Sequence, residues 1–301
     1  MHIVSITIFL TISSVAFSQI EKFVNVPKKG SYLYYGQPAF EDNSFLLEEA
    51  ITQEKGVIQH ITNFHYDNLR GGNIIFSFSQ EIPITHLRHQ LNYTIYYSDL
   101  NPTASSMGGG LGDISIGYHY MAMGKTDWAM VVPGLTIIIP TGKAETGSGY
   151  GGLGAQLSLA VTKRLSHSII TNYTIGFTFI SKADRYKLGP SGNNILSYEK
   201  DLQHGIVGAS IIWYPTRKFN WLLEYVSNFN AQINTDGSVA RYHFLTLNPG
   251  FRFAIDHKRV QIVPGLSLPI VFKEGNFEYV GLFLYLSFEP EYLPFSKSKS
   301  R

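Results

Sequence analysis

From Val57 onward, segment after segment alternates apolar and polar residues at every second position, and no long helical periodicity interrupts the rhythm. In HLRHQLNYTIYYS, residues 86 to 98, Leu87, Leu91, Tyr93, Ile95 and Tyr97 share one parity, with Arg88, Gln90, Asn92, Thr94 and Ser98 between them. Successive side chains of a strand point to opposite faces, so such a segment has one greasy face and one wet face. The pattern is clearest in mid-chain. Leu153, Ala155, Leu157, Leu159 and Val161 alternate with Gly154, Gln156, Ser158, Ala160 and Thr162. Ile169, Tyr173, Ile175, Phe177 and Phe179 then alternate with Ser168, Asn172, Thr174, Gly176 and Thr178. The rhythm predicts twelve strands, centred on 57–66, 73–82, 86–98, 111–123, 128–139, 152–163, 167–180, 202–214, 218–229, 242–254, 259–272 and 276–288. Alternation alone fits either a soluble sandwich, whose apolar face meets a core, or a membrane barrel, whose apolar face meets lipid.

Connection lengths separate the two. Every second connection is short (IPI, GKTD, LSHS, PTR, DHK), whereas most of those between are long, the longest being SKADRYKLGPSGNNILSYEKD. Outer-membrane barrels show this asymmetry, with short periplasmic turns and longer external loops, and an even strand count returns both ends to the periplasm. An open edge would leave backbone groups unpaired in hydrocarbon, so the sheet must close. The expected fold is all-β: a transmembrane antiparallel up-and-down β-barrel of about 12 strands, preceded by a short irregular or helical segment.

Residues 1–18, MHIVSITIFLTISSVAFS, carry no charge and end on Ala16-Phe17-Ser18, which reads as a signal peptide cut before Gln19. Residues 19–55 form an N-terminal periplasmic or lumen-plugging segment, in which the LLEEA stretch has the pattern of one short helix ending before Gly56. The barrel covers 56–289, and 290–301 form a basic tail. With no cysteine, the exported chain has neither disulfides nor a lipidated cysteine. A net charge of +2, from 24 basic and 22 acidic residues, argues against a nucleic-acid partner. The expected partners are outer-membrane lipid and a small-molecule solute, and the expected state is a monomer.

The polar parity carries Glu81, Arg88, Gln90, Asn92, Asp113, His119, Gln156, Asn172, Glu224, Asn248, Arg252, Gln261 and Glu278, which are expected to line the lumen. The apolar parity carries Tyr118, Tyr120, Trp213, Phe219 and Trp221 toward the periplasmic ends of their strands. Tyr97, Phe177, Phe179, Tyr225 and Phe229 lie toward the outer ends, so that two interfacial aromatic girdles are expected. No cofactor and no metal is expected: His86 and His89, and likewise His60 and His65, are an odd number of residues apart and point to opposite faces. GYGGLG, residues 149 to 154, has the glycines of a dinucleotide fingerprint but a loop before it and a strand after it, the reverse of what phosphate binding needs. Adjacent His167 and Ser168 in RLSHS diverge, so no catalytic residue is assigned and no enzyme is expected.

Two stretches, GLGDISIGYHY (110–120) and GLTIIIPTGKAETGSGYGGLGAQLSLAVTKRL (134–165), resemble the outer-membrane transporter family named after the MetA pathway of phenol degradation. The shared marks are Gly110-Leu111-Gly112-Asp113, Pro140-Thr141-Gly142, the glycines from 147 to 154, and Lys163-Arg164. The resemblance implies a barrel passing small molecules, apolar or aromatic ones included, with no catalytic residues to carry over. The chain departs from the pattern of many barrels in ending on PEYLPFSKSKSR rather than on an aromatic residue. Two further readings stay open: a non-conducting scaffold or surface receptor acting through residues 181–201, and an outer-membrane lipid hydrolase or acyltransferase.

Overall fold

Alternating residues form ladders only with partners of matching parity, and in the computed structural model every ladder joins sequence neighbours until the last strand returns to the first. The structure describes residues 44–53, 57–68, 72–84, 88–99, 108–124, 127–188, 194–257 and 260–290. The expected signal peptide, most of the 19–55 segment and the basic tail beyond Pro290 lie outside the described residues. In chain order the strands are β1 (Gln59–Asp67), β2 (Asn73–Pro83), β3 (His89–Asp99), β4 (Gly110–Leu111 with Ile114–Tyr120), β5 (Met130–Ile139) and β6 (Gly154–Arg164). They continue with β7 (Ile169–Leu188), β8 (Asn194–Thr216), β9 (Phe219–Ile233), β10 (Val239–Phe253 with Ile255–His257), β11 (Val260–Ser267 with Ile270–Lys273) and β12 (Asn276–Val280 with Leu282–Pro290). β12 pairs antiparallel with β1, Ile61 opposite Ser287 and His65 opposite Phe283, so the sheet closes into a 12-stranded antiparallel barrel.

The barrel is inside out relative to a soluble core. Leu157, Ile175, Val207, Leu223 and Leu286 are exposed on the outer wall, Leu157 at 62%, whereas Gln90, Asn172, Ser210, Glu224 and Ser287 are buried on the inner one, Gln90 at 2% exposure. Water would penalise such a wall and hydrocarbon would favour it.

The strand centres agree with the sequence rhythm, and the departures lie where parity is broken. Residues 181–201, read from the sequence as a loop, are largely a two-stranded continuation of β7 and β8, with Ala183 opposite Lys200 and Lys187 opposite Ile195. Bulges at Ile180/Ala183 and Arg185/Tyr186, with Lys182 at φ 54°, shift the alternation and so hide the strand from a period-two reading. The β9–β10 hairpin likewise continues to a tight turn, 234–238, where the Ser238 hydroxyl and N–H hold the Asp236 carboxyl below the usual carboxylate range.

Residues 44–53 are irregular where the LLEEA pattern suggested a helix. Their N–H groups are taken by the barrel: Leu46 N donates to Glu224 Oε1 (3.1 Å), Ala50 N to Thr162 Oγ1 (2.9 Å) and Gln53 N to Gln90 Oε1 (2.8 Å). With side-chain acceptors supplied from outside, the segment's own carbonyls are not needed to satisfy its donors.

Candidate functional site: the barrel interior

Residues 44–53 cross the interior close to the end that carries the short turns, and their neighbours come from every strand around the barrel. On the side of β1 to β3, the Gln53 amide donates to Gln59 Oε1 and to Glu81 Oε2 (3.3 Å). Gln90 Nε2 donates to the same Glu81 oxygen at 3.0 Å, and Gln59 Nε2 donates to Ser287 Oγ at 2.9 Å. In the centre, Asn172 Nδ2 lies within 3.2 Å of Ser44 Oγ, 3.0 Å of Glu49 Oε1 and 2.9 Å of Ser210 Oγ, and its Oδ1 accepts from Thr162 Oγ1 at 2.7 Å. Thr174 Oγ1 donates to the Glu48 carbonyl at 2.7 Å. At the far side Glu224 accepts from Leu46 N and from Asn248 Nδ2 (2.6 Å). Buried polar side chains persist where they find partners, and each of those named here is tied to at least one other group of the barrel or of the segment.

The apolar side chains of the segment are seated as firmly. Phe45 packs against Phe283 (5.6 Å between centroids) and Tyr285 (5.4 Å), and the Arg252 guanidinium lies 5.4 Å from the Phe45 ring. A Cβ at Gly250 would come within 2.6 Å of the Phe45 ring and one at Gly265 within 2.7 Å, so both glycines clear its pocket. Gly208 does the same for Leu47. Ala50, with Ile51 against it, completes a second cluster of Met121, Met130, Val132 and Ala160.

Of the residues assigned to the lumen from sequence, the structure brings Glu81, Gln90, Asn172, Glu224, Asn248 and Arg252 together around this crossing. His119 faces it, with Nε2 4.0 Å from Glu48 Oε2. Asn92 and Gln156 are half-buried on the same face of their strands, farther from the short turns. Gln261 donates to Asp256 Oδ1 at 2.7 Å near the short turns, Glu278 is half-buried near the tip of the β11–β12 hairpin, and Arg88 is exposed in the turn before β3. Asp113 stands apart at the long-loop end. Its carboxylate accepts from Gly142 N (2.9 Å) and Tyr150 N (2.8 Å), while Thr141 Oγ1 accepts from Ile114 N (3.0 Å) and donates to the Gly112 carbonyl (3.1 Å). The GLGD, PTG and glycine-loop marks are thus one clasp, and a Cβ at Gly142 or Gly149 would fall within 3 Å of it.

On the outer wall Trp213 is opposite Trp221, and Phe219, Trp221 and Phe251 form a ring cluster with centroids 5.2 to 6.0 Å apart near the short turns. Tyr118 and Tyr120 flank His89 at the same end, Tyr118 Oη lying 2.6 Å from His89 Nδ1. Tyr97, Phe177, Phe179 and Phe229 are exposed toward the other end, with Tyr225 between the two levels. Sequence reading missed Trp128: it fell at the start of the expected 128–139 strand, on the parity of Met130 and Val132, whereas the structure begins that strand at Met130 and leaves Trp128 exposed in the β4–β5 turn with Lys163 Nζ 5.0 Å from its ring centroid. It also missed Ser44, Phe45, Leu47 and Glu49, whose partners on the barrel lie 100 or more residues away; the one available signal was the row of glycines on the inner parity.

No protein-family model matches the chain, and no curated protein matches it. Among solved structures the chain is similar to an outer membrane channel from Pseudomonas putida F1, at 12% identity and a TM-score of 0.58, covering 80% of this chain and 97% of that one. It is also similar to the NanC porin (8% identity, 77% and 98% covered, TM-score 0.45) and to the CymD monoaromatic hydrocarbon channel (12%, 80% and 90%, 0.43). At this identity the first likeness establishes a shared barrel fold, and the scores of the other two are too low to carry an argument.

Proposed function

We propose that this chain is an outer-membrane channel through which small molecules, apolar or aromatic ones included, pass down their gradient, and that residues 44–53 constrict its lumen. The observation that carries the reading is the closed inside-out barrel, apolar outside and polar within, whose interior, among the described residues, is crossed by the segment 44–53 near the short-turn end. The short-turn end faces the periplasm, the mature chain begins at Gln19, and the barrel works as a monomer related to the transporter family whose motifs it resembles. The density of bonds around the crossing favours one competing reading, a scaffold without flux. Planar-bilayer current and liposome swelling decide between them, measured on the mature chain and on a chain lacking residues 44–53. Current in either supports the channel, larger in the shortened chain; silence in both leaves the scaffold.

A further inference from the structure

On the long-loop side of the crossing segment, the inner wall carries a lysine bedded on rings and not on a carboxylate. Lys273, the last residue of β11, is opposite Phe244 of β10, which is opposite Asn228 of β9 on the parity of the buried Glu224, so it belongs to the inner face. Half-buried, its ammonium lies 4.2 Å from the centroid of the Tyr242 ring and 5.5 Å from that of Phe244. Ring faces attract a cation but accept its N–H groups only weakly. Neither Glu274 nor Glu278 of the same hairpin pairs with it; Glu274 instead accepts from His243 N at 2.6 Å. Asp67, the carboxylate on the inner face of β1, accepts from Asn73 Nδ2 at 2.9 Å.

A row of apolar side chains leads from this ammonium along the same face. Tyr279 of β12 is opposite Val271, one pleat from Lys273, and its ring centroid is 6.4 Å from that of His65 on β1. His65 is in turn opposite Ile75 of β2, which stays 37% exposed. From β11 to β1 is two strand spacings, roughly 9.5 Å, the reach of one aromatic ring bearing one acidic group. A neutral arene on this row would leave the ammonium to water alone, and a small aliphatic anion on the ammonium would leave the rings bare. Only a molecule with both parts uses both features of the wall.

We propose that the long-loop half of the lumen holds a docking site for a small aromatic carboxylate, with its acid group on Lys273 and its ring against Tyr279 and His65. As a statement of what the barrel admits, this rests on the channel reading; as a statement of what the wall binds, it needs only a lumen open at that end. Tyr242 and Phe244 act one step back, by holding the lysine stem against the wall so that its charge stays in one place.

The full mature chain in a nonionic detergent is titrated with three probes followed by fluorine NMR, with empty micelles as the reference. Para-fluorobenzoate has ring and charge, para-fluorobenzyl alcohol the ring alone, and difluoroacetate the charge alone. Para-fluorobenzoate is expected to bind about fivefold or more tightly than either, since a partly exposed ion pair is worth a factor of that order. Lys273→Gln should remove this advantage and leave the alcohol unchanged, and Lys273→Arg should keep most of it. If the glutamine variant does not fold, Tyr279→Leu carries the test: with the cation intact it should weaken para-fluorobenzoate about threefold and spare difluoroacetate. No bound para-fluorobenzoate, equal affinity for it and difluoroacetate, or binding that survives Lys273→Gln overturns the proposal. Bilayer current from the same samples separates the two readings. Current with no preference among the probes leaves the channel and removes the site, whereas selective binding with silence in both the wild type and a chain without residues 44–53 keeps the site and removes the channel.

Discussion

A Cβ at Gly208 would collide with a Leu47 methyl and come within 2.9 Å of the Tyr225 carbonyl of the next strand, so the seat of Leu47 is best tested from the segment and not from the strand. Leu47→Asp should leave the strands intact, place a carboxylate in the buried apolar seat and push the 44–53 segment from it, raising single-channel current; unchanged current with a folded barrel would contradict the constriction. The two walls give a second contrast at this scale. Leu157→Arg places a cation on the apolar face and should cost about 2–4 kcal/mol in bilayer unfolding titrations. Gln156→Arg, one residue away on the inner face, should fold and change ion selectivity, because its charge can be hydrated or paired. Equal damage from both would remove the physical basis for distinguishing the faces. Parity made this contrast legible from sequence, since it is a property of neighbouring residues. The role of Asn172 was legible only in part: its inward parity could be read, but Ser44 and Glu49, 128 and 123 residues away, could not.

Asp113 shows what a motif means at the scale of elements. As a sequence feature it is an acidic residue on a polar parity; in the fold its two oxygens tie the β5–β6 loop to the start of β4 through Gly142 and Tyr150. Hydrogen bonds to a charged acceptor contribute about 1.5–3 kcal/mol each. Asp113→Ala should loosen residues 143–150, seen as faster proteolysis there with the strands still protected. The β7–β8 hairpin calls for the opposite outcome. Residues 183–186 are paired in a ladder, so protease added to whole cells should leave them uncut and their amide hydrogens should exchange slowly; rapid exchange would return them to the loop that the sequence suggested. Twelve strand centres were readable because each carries several turns of a period-two signal. The hairpin extension and the irregular 44–53 segment were not, the first because bulges reset the period, the second because acceptors from distant strands outcompete a local helical pattern.

At the scale of the whole molecule, closure removes every free edge between β12 and β1, and a closed barrel resists detergent unfolding. The mature chain should fractionate with outer membranes and migrate on gels at a different apparent mass before and after boiling; recovery as a soluble periplasmic protein would refute the membrane reading. The position of the crossing segment has a consequence of its own. Around it the inward side chains are almost inaccessible, whereas toward the long-loop end Tyr96, at 40%, and Ile75, at 37%, remain exposed on the inner face. On the channel reading proposed above, a vessel stopped near its floor fills from the side of Tyr96 and Ile75 and empties only when the stopper shifts. Loading would then depend on outside concentration and release on the lifetime of the closed state, so that uptake through such a barrel would saturate like a carrier, although nothing in it needs to turn inside out.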